Sequence, residues 1–134
     1  MLNGLSCNYF KGASYIKPNT DSTFTTTGFY VPKEINAPSF ALIYQGYIRV
    51  PETGIYSFYL TCDDGGILKI NNELVVDNDG LHSALEKSGQ AALGKGLHPI
   101  VLKFIEGGGG YRLTLKYSKD GAPLQDIPVD WLYH

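Results

Sequence analysis

The feature that most constrains this chain is a two-residue alternation that runs into a pair of aspartates. Large apolar residues occupy every second position from Tyr56 to Cys62, and the run ends at Asp63 and Asp64. A period of two is typical of a β-strand with one buried face. Neighbouring carboxylates repel each other unless a cation or hydrogen-bond donors hold them. The sequence therefore predicts a strand that ends either in a binding site or in a turn that the aspartates lock.

The same alternation recurs along the chain. Pro51 to Gly54 predicts a turn before the strand described above, and Asn71-Asn72 supplies the two residues that a tight hairpin favours. Only Leu81–Lys87 has helical character. The other predicted strands are Leu5–Phe10, an edge segment over Asp21–Phe29, Phe40–Val50, Leu68–Ile70, Leu74–Val76, Ile100–Ile105, Tyr111–Tyr117 and Pro128–Tyr133.

Length and composition favour one β domain. The chain has 134 residues, which is enough to close a single core, and it is rich in Gly (16) and Tyr (10). Strands with one apolar and one polar face pair into sheets whose apolar faces must meet. We expect an all-β, two-sheet antiparallel β-sandwich of the jelly-roll type. Residues 1–134 would form a single module, excised from a larger secreted protein.

Charge and hydropathy exclude several classes of partner. The formal net charge of -2 and the isoelectric point near 5.8 provide no basic surface for nucleic acid. No apolar run approaches the roughly 20 residues of a membrane span. Residues 1–4 do not open a signal peptide, because no basic start and apolar block follow them.

Two cysteines, Cys7 and Cys62, each lie in phase with apolar neighbours. A disulfide between them would close a long loop and could add roughly 4 kcal/mol on the chain-entropy model. Buried free cysteine is the commoner arrangement. The sequence leaves both alternatives open, and it has no zinc-binding spacing.

Several motifs, taken in order, resemble one known family over essentially the whole chain. That family is the protective-antigen type of β-sandwich module, the PA-fourteen domain. The motifs are Tyr9-Phe10, Gly46–Pro51, Thr53–Phe58, Asp63–Gly65, Val75–His82, Gly96–Ile100 and Leu113–Tyr117.

The resemblance implies a non-catalytic module of secreted or surface proteins: bacterial glycosidases, fungal adhesins and toxin precursors. An extracellular, periplasmic or cell-surface location follows. In the lectin members, two adjacent aspartates joined by a cis peptide hold a calcium ion that bridges to sugar hydroxyls. Asp63 and Asp64 occupy the matching position, and Asn78 is the nearest candidate for a further asparagine ligand. The chain lacks the long specificity inserts of adhesins, and its Val75–His82 loop looks more like the versions attached to glycoside hydrolases.

We therefore expect ligand binding by Asp63, Asp64, Asn78 and His82, with the first three as calcium ligands. Calcium prefers six to eight oxygen ligands, which carboxylates, amides and loop carbonyls supply. The alternative without metal is that the aspartates cap their own turns. His82 has a structural alternative too, a hydrogen bond to a neighbouring carboxylate.

Other candidate chemistry is weaker. Gly107–Gly110 could suggest a phosphate loop, but a strand rather than a helix follows, which favours a hairpin loop. Trp131, Tyr47 and Tyr59 could stack on sugar rings if exposed, although packing is the commoner role. The sequence has neither a GxSxG nor an HExxH motif, so it does not support nucleophilic or zinc hydrolysis.

The preferred interpretation is a carbohydrate-binding module whose partners are a glycan and the neighbouring catalytic domain of the same parent chain. Weak binding would raise the local concentration of that domain on its substrate. The alternatives are a structural spacer or protein-docking domain, and a small hydrolase. The hydrolase would need two carboxyl groups about 5–9.5 Å apart across a cleft, and adjacent aspartates do not suggest that arrangement.

Overall fold

The computed structural model describes residues 1–13 and 21–134, which form an almost entirely β structure. The strands are β1 Leu5–Lys11, β2 Ser22–Thr26, β3 Phe40–Val50, β4 Gly54–Asp63, β5 Gly65–Ile70, β6 Glu73–Asn78, β7 Leu85–Leu93, β8 Gly96–Glu106, β9 Arg112–Lys119, β10 Gln125–Asp126 and β11 Leu132–Tyr133.

Two antiparallel sheets pack face to face, as the alternation predicts. The larger sheet has the strand order β2-β1-β3-β8-β5-β6, and β11 pairs with β3 beyond the end of β1. The smaller sheet has the order β10-β9-β4-β7. The predicted extended segment at Asp21–Phe29 contains β2, which is an edge strand as expected.

The core lies between the sheets and consists of the alternating apolar residues. Phe58 on β4 and Phe104 on β8 are buried, as are the other large residues in phase with them. The longest strands, β3 and β8, pair over their full length from Phe40 opposite Glu106 to Val50 opposite Gly96. At about 3.3 Å per residue, β8 runs the length of the domain and connects its two ends.

The turn between β5 and β6 confirms the predicted hairpin. Asn71 and Asn72 adopt φ values of 55° and 63°, the left-handed pair that such a turn requires. In residues 1–13 and 21–134, no helix is long and apolar enough to cross a bilayer.

Two local predictions were wrong. The segment predicted to be helical, Leu81–Lys87, is a bend that leads into β7, and its last three residues are already strand. β7 is held by its pairing with β4, which overrides the weak local pattern. The predicted strand at Pro128–Tyr133 is a 3-10 turn, Val129–Trp131, followed by the short strand β11.

Both cysteines are buried free thiols in the core. Burial raises the pKa of Cys7 to about 12 and the pKa of Cys62 to about 12. Among the alternatives that the sequence left open, the structure therefore has two free thiols.

Candidate functional site

The most distinctive polar feature lies where β4 and β8 end at the same end of the sandwich. Asp63 ends β4, Asp64 follows it, and Glu106 ends β8. Each of these three residues offers one carboxylate oxygen, and the three oxygens lie within 4.8 Å of one another. We call this group the acid corner. The aspartates lie beside Glu106 because the Asp64 amide donates to the carbonyl of Ile105, the residue before Glu106, at 3.2 Å.

The three carboxyl groups of the acid corner repel one another electrostatically. A hydrogen bond with Asp64, together with burial and the Asp64 charge, raises the pKa of Asp63. Burial raises the pKa of Glu106, and the charges of both aspartates raise it further. Negative charge at this corner is therefore costly unless something cationic compensates for it.

Backbone amides of the glycine loop after β8 hold part of this charge. Gly107 donates its amide to Asp64 Oδ2 at 2.5 Å, and Gly108 donates to Glu106 Oε1 at 3.1 Å. Gly107–Gly110 lies in the connection between β8 and β9 and contributes donors to the acid corner. The predicted hairpin was wrong, because β8 and β9 belong to different sheets and the glycines cross from one sheet to the other. Glu106 Oε2 is buried and has no hydrogen-bond partner among the described residues.

Glycine is required beside the aspartates because two loops meet there. A side chain on Gly65 would collide with the backbone of Gly80, which belongs to the loop after β6. A Cβ on Gly107 would lie 2.6 Å from Asp64 Oδ2. The acid corner is therefore shaped by three converging segments, 63–66, 78–82 and 106–110.

Asn78 is buried below this end of the sandwich. Its Nδ2 donates to the carbonyls of Leu60, at 3.0 Å, and Leu85, at 2.7 Å, so the side chain ties β6 to β4 and to the start of β7. Its Oδ1 is buried and has no hydrogen-bond partner in the described part of the chain. The amide thus has a structural role, while its assignment as a metal ligand stays a prediction.

His82 lies within electrostatic reach of the acid corner. Its Nδ1 is 2.8 Å from the Ser83 carbonyl oxygen, and its Nε2 is 3.0 Å from that of Asn78. Because both ring nitrogens face acceptors, the imidazolium is favoured. The Ser83 and Asn78 carbonyls raise the pKa of His82, with smaller contributions from Asp64 and Asp63. The sequence had suggested a carboxylate partner, but both hydrogen bonds are to carbonyls.

The Asp63-Asp64 peptide bond is cis, the arrangement that the family resemblance implied.

Glu106 is the one member of the acid corner that the sequence analysis did not predict, although a signal for it was available. Ile100, Leu102, Phe104 and Glu106 share one phase of β8 and are all buried, so the alternation itself turns a carboxylate inward.

The donor set of the acid corner fits a hard cation. Three carboxylates converge, and one of their oxygens, Glu106 Oε2, is buried without a partner. Calcium is bound by oxygen ligands of this kind, including backbone carbonyls of adjoining loops. Such an ion would also relieve the repulsion that raises the pKa of Asp63 and Glu106.

The three candidate stacking aromatics lie elsewhere. Trp131 packs on Tyr117, with ring centroids 4.9 Å apart, and on Tyr56 at 6.4 Å. Tyr47 is exposed on β3, and Tyr59 is partly exposed on β4. None of the three belongs to the acid corner.

The two antiparallel sheets, with loops and paired aspartates at one end, define a β-sandwich module. The family profile described as "PA14 domain" matches residues 3–131, and the chain belongs to that family.

Two curated relatives are fungal enzymes. The chain is 29% identical over 115 residues to "Probable beta-glucosidase H" of Aspergillus oryzae, a match that covers 84% of this chain and 13% of the relative. It is 29% identical over 99 residues to "Probable beta-glucosidase I" of Aspergillus niger, covering 73% of this chain and 11% of the relative. The chain thus spans only about an eighth of the length of these relatives.

Solved structures share the fold. An anti-sigma factor domain-containing protein from Clostridium clariflavum is 25% identical, with a TM-score of 0.83 over 98% of this chain and 47% of that chain. The "PA14 sugar-binding domain from RTX adhesin" is 18% identical, with a TM-score of 0.81 over 100% of this chain and 99% of that chain. Epithelial Adhesin 6 A domain of Candida glabrata, solved with Galβ1-3GlcNAc, is 15% identical, with a TM-score of 0.76 over 98% of this chain and 87% of that chain.

Proposed function

We propose that this chain is a non-catalytic carbohydrate-binding module that holds a glycan at the acid corner with the help of a calcium ion. The observation that carries the proposal is the convergence of Asp63, Asp64 and Glu106 within 4.8 Å, with one buried carboxylate oxygen that has no partner among the described residues. Relatives whose names state sugar binding or glucosidase activity support the ligand class.

The three carboxylates of the acid corner would hold the ion. When bound, calcium would neutralise these carboxylates and could coordinate hydroxyl oxygens of a sugar. The glycine loop orients Asp64 through the Gly107 amide and Glu106 through the Gly108 amide. His82 borders the same end of the sandwich and would shape access to the ligand. The buried Asn78 would support this end by tying β6 to the start of β7, and it is the candidate for a further calcium ligand.

The partners follow from this role. The module would capture glycan for a neighbouring catalytic domain, in an extracellular, periplasmic or cell-surface protein. Tethering of this kind raises the effective concentration of the linked domain on its substrate without any new contact to it.

Thermal unfolding with calcium and with chelator tests the ion. A ligand that binds only the folded state stabilises it by about 2.7 kcal/mol at one hundred times its Kd. We therefore expect calcium to raise the unfolding midpoint of the native chain by several degrees. Asp64→Asn should abolish this rise, while Glu73→Gln, which removes an exposed carboxylate at the start of β6, should keep it.

A glycan panel tests the second half of the proposal. Asp64→Asn should lose glycan binding while its circular dichroism stays native. Glycan binding that is unchanged in Asp64→Asn and unaffected by chelator would refute the site.

A second candidate function is a structural spacer or docking domain. It is favoured by apolar side chains exposed near one end of the sandwich, where Met1, Leu2 and Leu97 are 71%, 69% and 47% exposed. A calcium-independent midpoint together with a flat profile across the glycan panel would select this function.

A further inference from the structure

A concave site lies at the end of the sandwich opposite the acid corner. There an open cleft of about 400 Å³ is lined by Arg49, Lys95, Asp130, Trp131 and Tyr133, among other residues. This volume falls in the range of small-molecule sites. We call it the cationic cleft. Arg49 pairs in register with Leu97 near the start of β8, whereas Glu106 of the acid corner ends the same strand.

The chain builds this cleft from three segments. Arg49 is exposed on β3 one residue before the strand ends. Lys95 lies in the tight connection between β7 and β8, where its amide donates to Thr53 Oγ1 at 2.9 Å. Asp130 and Trp131 belong to the 3-10 turn that precedes β11.

Trp131 is a rigid wall of the cleft. Its ring packs against Tyr117, and it meets Tyr56 edge-on with an interplanar angle of 81°. The rest of the indole is partly exposed and lines the cleft. An aromatic ring that is already held in place loses little conformational freedom when a ligand packs on it.

The charged groups of the cleft are exposed, and no ion pair with another described residue neutralises them. Within residues 1–13 and 21–134, the Arg49 guanidinium, the Lys95 ammonium and the Asp130 carboxylate form neither an ion pair nor a side-chain hydrogen bond. Two cations and one anion give the cleft a positive balance on a chain whose formal net charge is -2. These groups are therefore free to bind a ligand.

From this combination we infer that the cationic cleft binds a saccharide that carries a carboxylate, such as a uronic acid. The guanidinium and ammonium would hold the carboxylate with charge-assisted hydrogen bonds. The indole would cover the apolar face of the sugar ring, and Asp130 would accept hydroxyl hydrogens. The inference does not depend on the acid corner, because the two sites lie at opposite ends of β8.

Tryptophan fluorescence of the full chain tests this site directly, because Trp131 is the only tryptophan. We expect a saturable change on titration with glucuronate and binding at least tenfold weaker with glucose. Sodium acetate, the carboxylate without a ring, should give no saturable change. Arg49→Gln and Lys95→Gln should each weaken glucuronate binding by about tenfold, as expected for the loss of a hydrogen bond to a charged group.

Lys87→Gln is the matched control, because it removes an exposed cation on β7 outside the cleft, and it should bind as the native chain does. Asp64→Asn and chelator should also leave the fluorescence titration unchanged, which separates this site from the proposed calcium site. Equal binding of glucose and glucuronate, equal binding of acetate, or native affinity in both Arg49→Gln and Lys95→Gln would overturn the inference.

Discussion

The two ends of this sandwich arrange their charged side chains differently. At the acid corner, three carboxyl groups converge and Glu106 is almost fully buried. At the other end, Arg49 and Lys95 are exposed, and Lys119 offsets the nearby Asp120 with a contact of 2.8 Å. Charge is thus concentrated and poorly compensated at one end, and dispersed in solvent at the other.

The pKa directions express the same difference. Burial raises the pKa of Glu106 at the acid corner. At the far end, hydrogen bonds from Lys119 and from the Ile55 amide lower the pKa of Asp120. A carboxylate with a depressed pKa is already satisfied by its neighbours, whereas one with a raised pKa needs an outside cation or a proton. This difference is the reason why the calcium site is proposed at the acid corner and not at the other end.

The largest expected effect on stability comes from a cavity in the core beside β8, the strand that connects the two ends. Phe104 is fully buried on β8, and its ring lies 6.2 Å from that of Phe40. Phe104→Ala should lower the free energy of unfolding by about 3–5 kcal/mol, because it leaves a cavity in the core. Chemical denaturation followed by circular dichroism measures the loss.

The control for that variant lies on the same strand. Leu97 is 47% exposed, so Leu97→Ala should change the free energy of unfolding by no more than about 0.5 kcal/mol. Similar losses in both variants would show that β8 does not hold the core together as the burial indicates.

A smaller loss of stability is expected from a substitution that disturbs the acid corner and leaves the other end unchanged. Gly65→Ala places a methyl group against the Gly80 backbone and should cost about 1–3 kcal/mol through overpacking. It should also remove the calcium-induced rise in midpoint while the fluorescence of Trp131 at the other end stays native. Gly110→Ala is the control, since a Cβ there meets nothing within 4 Å. A native calcium response in Gly65→Ala would mean that the two loops need not meet for the ion to bind.

The smallest effect is a dependence of stability on pH. Asp63, Glu106 and His82 have raised pKa values, so the folded chain binds more protons than the unfolded chain does. In chelator, the free energy of unfolding should therefore fall as pH rises from about 4, the ordinary carboxyl pKa, through the raised folded values. Asp120, whose pKa is lowered, acts in the opposite sense and only as pH falls below about 4.

Glu106→Gln sharpens this prediction. Removal of that carboxyl should flatten the decline above pH 4, and saturating calcium should flatten it in the native chain. Urea denaturation at a series of pH values measures both slopes. If the free energy of unfolding falls equally steeply with pH in the native chain and in Glu106→Gln, Glu106 does not contribute to the pH dependence.

Much of the fold was predictable because its long strands bury one face. The alternation in β3, β4 and β8 identified the core, and the Asn71-Asn72 turn is specified by residues that tolerate positive φ. β7 was not predictable in this way. Most of its residues are exposed on the smaller sheet, so it has little apolar alternation, and its pairing with β4 is a tertiary effect.

The acid corner was half predictable. Adjacency in the sequence drew attention to Asp63 and Asp64, whereas Asn78, which the family resemblance suggested, is not among the three converging carboxylates. Glu106 is 42 residues beyond Asp64 and joins it only because β5 and β8 pair in register, Gly65 opposite Ile105. Local sequence does not encode that pairing, although the phase of β8 does indicate that Glu106 points inward.

The two buried thiols have a consequence for where such a module can work. With pKa values of about 12, Cys7 and Cys62 are almost entirely protonated at neutral pH, and the thiolate is the reactive form. Reaction with an oxidant or with another disulfide therefore requires the two sheets to separate and expose the thiols. Burial thus protects both thiols from disulfide exchange for as long as the domain stays folded.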